Sequence, residues 1–258
     1  SEPRLSYGVL ILVVVHLVLS TTYFRMYHVD EEWALSLYYN ILYYGEAYSL
    51  AAHNNMSLGA SWIASVLYEG IPYIFSDNMI AYRYVSVALG LITMFVIYKL
   101  VEFHSKNELL AIRSTALIGI TESFVFASHI PRTEILVLCL FVVGLYLHSR
   151  TDFRFNFIYS GLIGFLSVEA HLNGLFYLFL VAGFEISKMP FKKNRLKDLI
   201  HFFIGGLIAL ALILLSKAMF YEDILNSQAS MHIGLLSIPE RIIWYWEMVK
   251  DSKYYRSI

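Results

Sequence analysis

Asp30 and Glu31 follow an apolar run, residues 5–24, that is long enough to cross a bilayer. A carboxylate at the mouth of a membrane helix faces water on one side and a lipid-borne molecule on the other. There it can act as a general base toward a substrate that never leaves the bilayer. Further ionisable and polar side chains recur at the ends of later apolar runs: Glu122, His129, Arg132, Glu134, Glu169, His171, Asn173 and Lys217. Charged groups in membrane spans cost about 2.5–3.5 kcal/mol each on insertion, so as a class they face a cavity or a partner. Arg132 follows Pro131, a helix breaker, and a guanidinium held near a membrane surface suits phosphate oxygens. Lys217 and His129 are further candidates for the same anion. Glu122 and His129 are seven residues apart and share a face if their helix is continuous.

Each group also has a plainer reading. Asp30, Glu31 and Glu32 read as solvated acids at a helix N-terminus, where the dipole favours negative charge, with Asp30 as the cap of 31–42. Arg132 and Glu134 read as a structural ion pair at the headgroups. Glu31, or Glu169 with His171, could hold a divalent metal, although the spacing matches no zinc signature.

Composition sets the solvent in which these groups work. The chain is 58% hydrophobic and 15% charged, against about 25% charged for a soluble domain. The net charge of −1 gives no sign of nucleic acid, and the single Cys139 allows no intrachain disulfide. Apolar runs fall at about 5–24, 79–101, 109–128, 134–149, 156–170, 173–187 and 199–219. The fifth and sixth are short of the roughly 20 residues of a full span and read as a tight hairpin, tilted helices or a partial re-entry. The first run reads as a retained helix rather than a cleaved signal, in a chain that begins Ser-Glu-Pro-Arg.

The connections sort by charge. Arg4, Lys99, Lys106, Arg113, Arg150, Arg154, Lys188, Lys192, Lys193, Arg195 and Lys197 fall on one side; Asp30, Glu31, Glu32, Glu46, Glu69 and Asp77 fall on the other. The positive-inside rule places the N-terminus in the cytoplasm, with the loop 25–78 and the tail 220–258 outside. Residues 33–42 and 58–68 predict interfacial helices in that loop, and the 20 tyrosines and 18 phenylalanines read as interfacial belts. The tail, with Trp244 and Trp246, reads as another amphiphilic segment. The expected architecture is an all-α integral membrane protein of about seven transmembrane helices with interfacial helices in a long first extracytoplasmic loop. It forms one module over 1–219, followed by the tail 220–258.

Three stretches resemble the membrane-embedded GT-C glycosyltransferases that use polyprenyl-phosphate sugars, the protein mannosyltransferases and aminoarabinose transferases among them. The first is Val29-Asp30-Glu31, followed by Asn40-Ile41-Leu42 and Gly45. The second is Pro131-Arg132-Thr133-Glu134. The third runs from Gly161-Leu162-Ile163-Gly164-Phe165 to His171-Leu172-Asn173-Gly174. Their order and spacing agree over nearly the whole chain. The resemblance implies a module of about seven helices with two interfacial helices in the first outer loop. Family members are usually longer, so the expectation is either a fragment of a longer protein or a partner that supplies the rest.

The implied reaction is inverting transfer of a sugar from a polyprenyl phosphate to a hydroxyl of a glycan, lipid or protein on the extracytoplasmic side. Asp30 would take the acceptor proton, and Glu31 would orient Asp30, hold a sugar hydroxyl or bind a metal. Arg132, with Lys217 and His129, would meet the leaving phosphate. Glu122, Glu134, Glu169, His171 and Asn173 would line the pocket, with Glu134 orienting Arg132. A lipid or sugar flippase and a non-catalytic subunit of a membrane complex remain the rival readings.

Overall fold

The structure is a computed structural model and describes residues 2–23, 29–43, 61–71, 79–150, 155–188 and 195–218. These residues are almost entirely helical, with no strand among them. The long helices are α1 (Glu2–Tyr23), α4 (Met79–Ser105), α7 (Thr133–Ser149), α8 (Asn156–Ala170), α9 (Leu175–Lys188) and α10 (Arg195–Ala218). Between α1 and α4 stand α2 (Val29–Tyr43) and α3 (Trp62–Ser65), which runs on into a π-helical turn, Val66–Gly70. Between α4 and α7 stand α5 (Glu108–Gly119) and the short α6 (Glu122–Ala127). Two helices, Arg4–Thr21 and Ile80–Ser105, are long and apolar enough to cross a membrane, and Thr133–Ser149 is apolar but shorter.

Packing runs across the bundle in one direction: α1 lies on α4 and α5, α4 on α7, α7 on α8, and α8 on α9 and α10. A central cluster of Val13, Leu17, Val85, Leu89, Met94, Ile135, Leu136 and Cys139 joins α1, α4 and α7. Leu5, Leu12 and Leu19 of α1 and Phe203, Leu207, Leu214 and Leu215 of α10 point outward and are exposed. Such apolar surface is costly in water and favourable in lipid.

The apolar run 109–128 is one helix by composition, but the structure breaks it at Ile120–Thr121. The α5 C-cap Ile120 keeps helical angles, whereas Thr121 turns extended (φ −66°, ψ 136°) and bonds its own Oγ1 to the Ile118 carbonyl at 2.8 Å. Gly119 ends α5 where a Cβ would lie 2.6 Å from Val13 and 2.8 Å from Met94. A glycine and two β-branched residues in succession lower helix propensity there.

The short fifth and sixth runs form a tight hairpin. Helix α8 has 15 residues and α9 has 14, about 22 and 21 Å against a hydrocarbon core of about 30 Å. A 3-10 turn, Leu172–Gly174, links them. Gly174 is required there, because a Cβ would lie 2.3 Å from the Ser167 carbonyl carbon. The Tyr177 ring fills a notch left by Gly144 and Gly164, and its hydroxyl meets Ser160 Oγ at 2.6 Å. Helices α8 and α10 touch backbone to backbone: a Cβ on Gly161 would lie 1.9 Å from the Phe202 carbonyl oxygen, and one on Gly205 1.9 Å from that of Ile158. Small residues of this kind let membrane helices approach closely.

This contact makes a prediction. Gly205→Ala should lower the thermal midpoint in detergent by the equivalent of about 1–3 kcal/mol, because backbone cannot move aside as a side chain can. Gly183→Ala, which would meet nothing within 4 Å, should leave the midpoint unchanged or raise it. Equal midpoints for both variants would show that the α8–α10 contact does not hold the bundle.

Candidate functional site

The helix ends sort into two groups. Ser6, Tyr7, His104, Glu108, Arg113 and Ser149 meet at one end: Arg113 Nε reaches Ser6 Oγ at 3.4 Å, His104 Nε2 lies 2.9 Å from Ser149 Oγ, and the Tyr7 hydroxyl donates to Glu108. Ser61, Tyr68, Arg132 and Glu169 meet at the other, which carries most of the residues singled out above.

Glu169 organises that second end. It sits in the last turn of α8, only 7% exposed. Its Oε1 accepts from the Trp62 amide at 2.7 Å, and its Oε2 accepts from Ser61 Oγ at 2.8 Å and from the Ile63 amide at 3.4 Å. Ser61 Oγ in turn accepts from the Ala64 amide at 3.1 Å. Thus the first three amides of α3, which have no partner within their own helix, are closed off by one carboxylate and one hydroxyl. The negative charge also stands at the positive end of the α3 dipole. Glu169 was expected to line a pocket; its position instead ties the long loop to α8.

Tyr68 makes the second tie. Its ring is fully buried and stacks on Tyr38 of α2, with centroids 5.6 Å apart and planes at 12°. Its hydroxyl donates to the Arg132 carbonyl at 2.9 Å and lies 3.0 Å from Ser86 Oγ, which donates to the Ile130 carbonyl at 2.7 Å. Burial pushes both phenols above the usual tyrosine range, so they stay neutral hydrogen-bonding groups at any ordinary pH. The sequence reading made α2 and α3 surface-lying interfacial helices. Instead Leu37, Tyr38, Asn40, Ile41, Ala64, Ser65 and Tyr68 are buried against each other and against the bundle.

His129 is another tie rather than a ligand-facing group. It is fully buried, with Nδ1 2.6 Å from the Val125 carbonyl and Nε2 2.8 Å from Ser20 Oγ and 3.0 Å from the Leu17 carbonyl. It joins α1 to the end of α6, and both ring nitrogens are engaged in that contact. Helix α6 ends at Ala127, so His129 lies in a turn and shares no helix face with Glu122, which is exposed.

What remains converges. A cavity of about 200 Å³ is lined by Glu134, His171 and Asn173 and by Val137, Leu138 and Phe141. Its polar residues come from the start of α7 and the α8–α9 turn, and its apolar wall is one face of α7 at i, i+3, i+4 and i+7 spacing from Glu134. His171 Nδ1 accepts from the Asn173 amide at 3.1 Å. In the neutral ring the proton therefore sits on Nε2, a donor. Arg132 caps α7 and bonds Glu134 Oε1 at 2.6 Å, with both side chains partly exposed. Asp30 and Glu31 lie in the first turn of α2, whose helix starts at Val29, one residue ahead of the expected cap. Their side chains, and that of Lys217, lie outside the described residues. Among the described residues no three of His, Cys, Asp and Glu group as a metal set.

Sequence reasoning missed Ser61, Tyr38 and Tyr68 as anchors. The tyrosines were submerged among many aromatics, and a serine seven residues before a tyrosine carries no signal of its own. No family profile, curated protein or solved structure matches the chain.

The clamp is directly testable. Glu169→Ala should expose the amides of Trp62 and Ile63, with a loss of about 1–3 kcal/mol. Their hydrogen exchange should then run roughly five- to a hundredfold faster, with Ser61→Ala giving a smaller, non-additive effect. Unchanged exchange in Glu169→Ala would remove Glu169 as the anchor of α3.

Proposed function

We propose that this chain is an integral membrane transferase of the GT-C type, with about seven helices crossing the bilayer and its site on the extracytoplasmic side. It moves a sugar from a polyprenyl phosphate to a hydroxyl acceptor. The observation that carries this reading is the division of the cavity into a polar mouth (Glu134, His171, Asn173) and an apolar wall (Val137, Leu138, Phe141). A molecule with a sugar-phosphate head and a hydrocarbon tail matches that division. A soluble sugar would leave the apolar wall unmatched, and a simple hydrocarbon would leave the mouth unmatched.

The roles follow from chemistry. Asp30, at the start of a helix docked on the same end of the bundle through Tyr38 and Tyr68, takes the acceptor proton as the hydroxyl attacks the anomeric carbon. The bond to the phosphate oxygen breaks, and the lipid phosphate leaves with the electron pair. Arg132, bonded to Glu134 of the cavity lining, stabilises that charge with its planar guanidinium. Glu134 holds the guanidinium in place, and Nε2–H of His171 and the Asn173 amide are donors to sugar hydroxyls. Holding donor and acceptor together supplies much of the rate, since a two-substrate reaction gains from fixed geometry.

Tests use the full chain reconstituted with a labelled polyprenyl-phosphate sugar and a hydroxyl acceptor. Asp30→Asn should cut transfer by about 10²–10⁴-fold with donor binding retained. Asn173→Trp, an exposed position at the cavity mouth, should block donor binding without unfolding the protein. Full transfer in Asp30→Asn would sink the proposed base. Unaltered donor affinity in Asn173→Trp would move the site away from this cavity, and passage of label across the membrane without bond cleavage would make the protein a flippase.

A further inference from the structure

The cavity has a far end that the transfer chemistry does not use. Its lining on α7 starts at Glu134 and ends at Phe141, about 10 Å further along the helix. At that depth the Phe141 ring meets Tyr177 of α9 edge-on, with centroids 5.4 Å apart and planes at 73°. Tyr177 stands about one helical turn past Asn173, which lies at the mouth. We infer that these two rings form the floor of the cavity and that Phe141 gauges the ligand by limiting how much of its hydrocarbon tail enters. The inference rests on the lipid-phosphate donor proposed above.

The floor has solid backing. Tyr177 is fully buried against Gly144 and Gly164, and its hydroxyl meets Ser160 Oγ at 2.6 Å. Val181 and Phe202 are buried in the same cluster, and Phe141 packs on it from the cavity side. A tail pushed past Tyr177 would overpack that cluster, which is costly in a filled core. Phe141 is only half-buried, so it is the part of the floor that a substitution can remove.

The depth then sets a length. An extended isoprene unit covers four carbon–carbon bonds of about 1.5 Å, or about 5 Å end to end. A depth of about 10 Å takes about two such units next to the phosphate. The remainder of a longer tail turns at Phe141 and leaves over α9, whose Phe176, Phe179 and Leu180 follow Asn173 in the chain and are exposed. In a bilayer that remainder loses nothing, because lipid is as apolar as the cavity wall. The protein thus reads the head and its first units, and the rest of the tail serves as an anchor.

The test is displacement of a labelled polyprenyl phosphate from the full-length protein, in one detergent, by phosphates of two, four and eight isoprene units. Each ligand is compared between wild type and variant, so its own partition into micelles cancels. In Phe141→Ala the four- and eight-unit phosphates should gain about three- to tenfold over the two-unit phosphate, relative to wild type, because the freed space takes a further unit. The gain should be the same for four units as for eight. Phe141→Leu, an apolar side chain of shorter reach, should shift the same way by less, and it carries the test if Phe141→Ala does not fold. An equal change at every length, no change, or a gain still rising from four units to eight would overturn the gauge and leave the donor in place. Failure of every polyprenyl phosphate to bind wild type would remove the donor, and the gauge with it.

Discussion

The acidic end of this molecule depends on one buried carboxylate. Glu169 terminates α8 and begins α3 at the same time: its two oxygens take Ser61 Oγ and the amides of Trp62 and Ile63. An unpaired charge in that position would be prohibitive, and unpaired amides at the start of a docked helix would be nearly so. Each cancels the other's cost. The clamp gives the loop segment a fixed start, Tyr68 gives it a fixed end seven residues later, and α2 packs on the segment so held. The backbone of Asp30 and Glu31 belongs to that same α2.

This separates two kinds of polar residue that look alike in the sequence. Glu169 and His129 are ionisable groups near apolar runs, and each joins elements distant in the chain: Glu169 α8 to α3, His129 α6 to α1. Glu134, His171 and Asn173 are no more polar, but they border a cavity. Glu134, Glu169 and His171, expected at one end of the bundle, differ there in what they touch. Some of the groups meet because the fold needs them to, and the cavity is what is left between them.

The helices were legible because hydrophobic runs of that length have few other uses. Each run contains a helix or two; the break at Ile120–Thr121, just after Gly119 where it lies against Val13 and Met94, was not legible from composition. The hairpin of α8 and α9 was one of three options left open by length alone. The Leu172–Gly174 turn and the Tyr177 notch form it, and the notch is tertiary. Tyr38 and Tyr68 were the least legible. An interfacial tyrosine and a buried, stacked tyrosine have the same neighbours along the chain, and only burial tells them apart.

The two ends of the bundle deal with their carboxylates in opposite ways. At the acidic end, Glu169 is satisfied by backbone amides and a hydroxyl and Glu134 by Arg132. Carboxylate there builds structure, and Arg132 is shared with one of those acids. At the basic end, Glu102 is matched by Lys99 and Glu108 by a phenol, and Lys106 and Arg150 also lie over aromatic rings. Rings can hold a cation in place without consuming its charge, whereas a carboxylate cannot. An end built from acids bonded to amides can present a base to a neutral hydroxyl. The same bundle thus carries two polar ends of different chemistry, separated by the length of an apolar core.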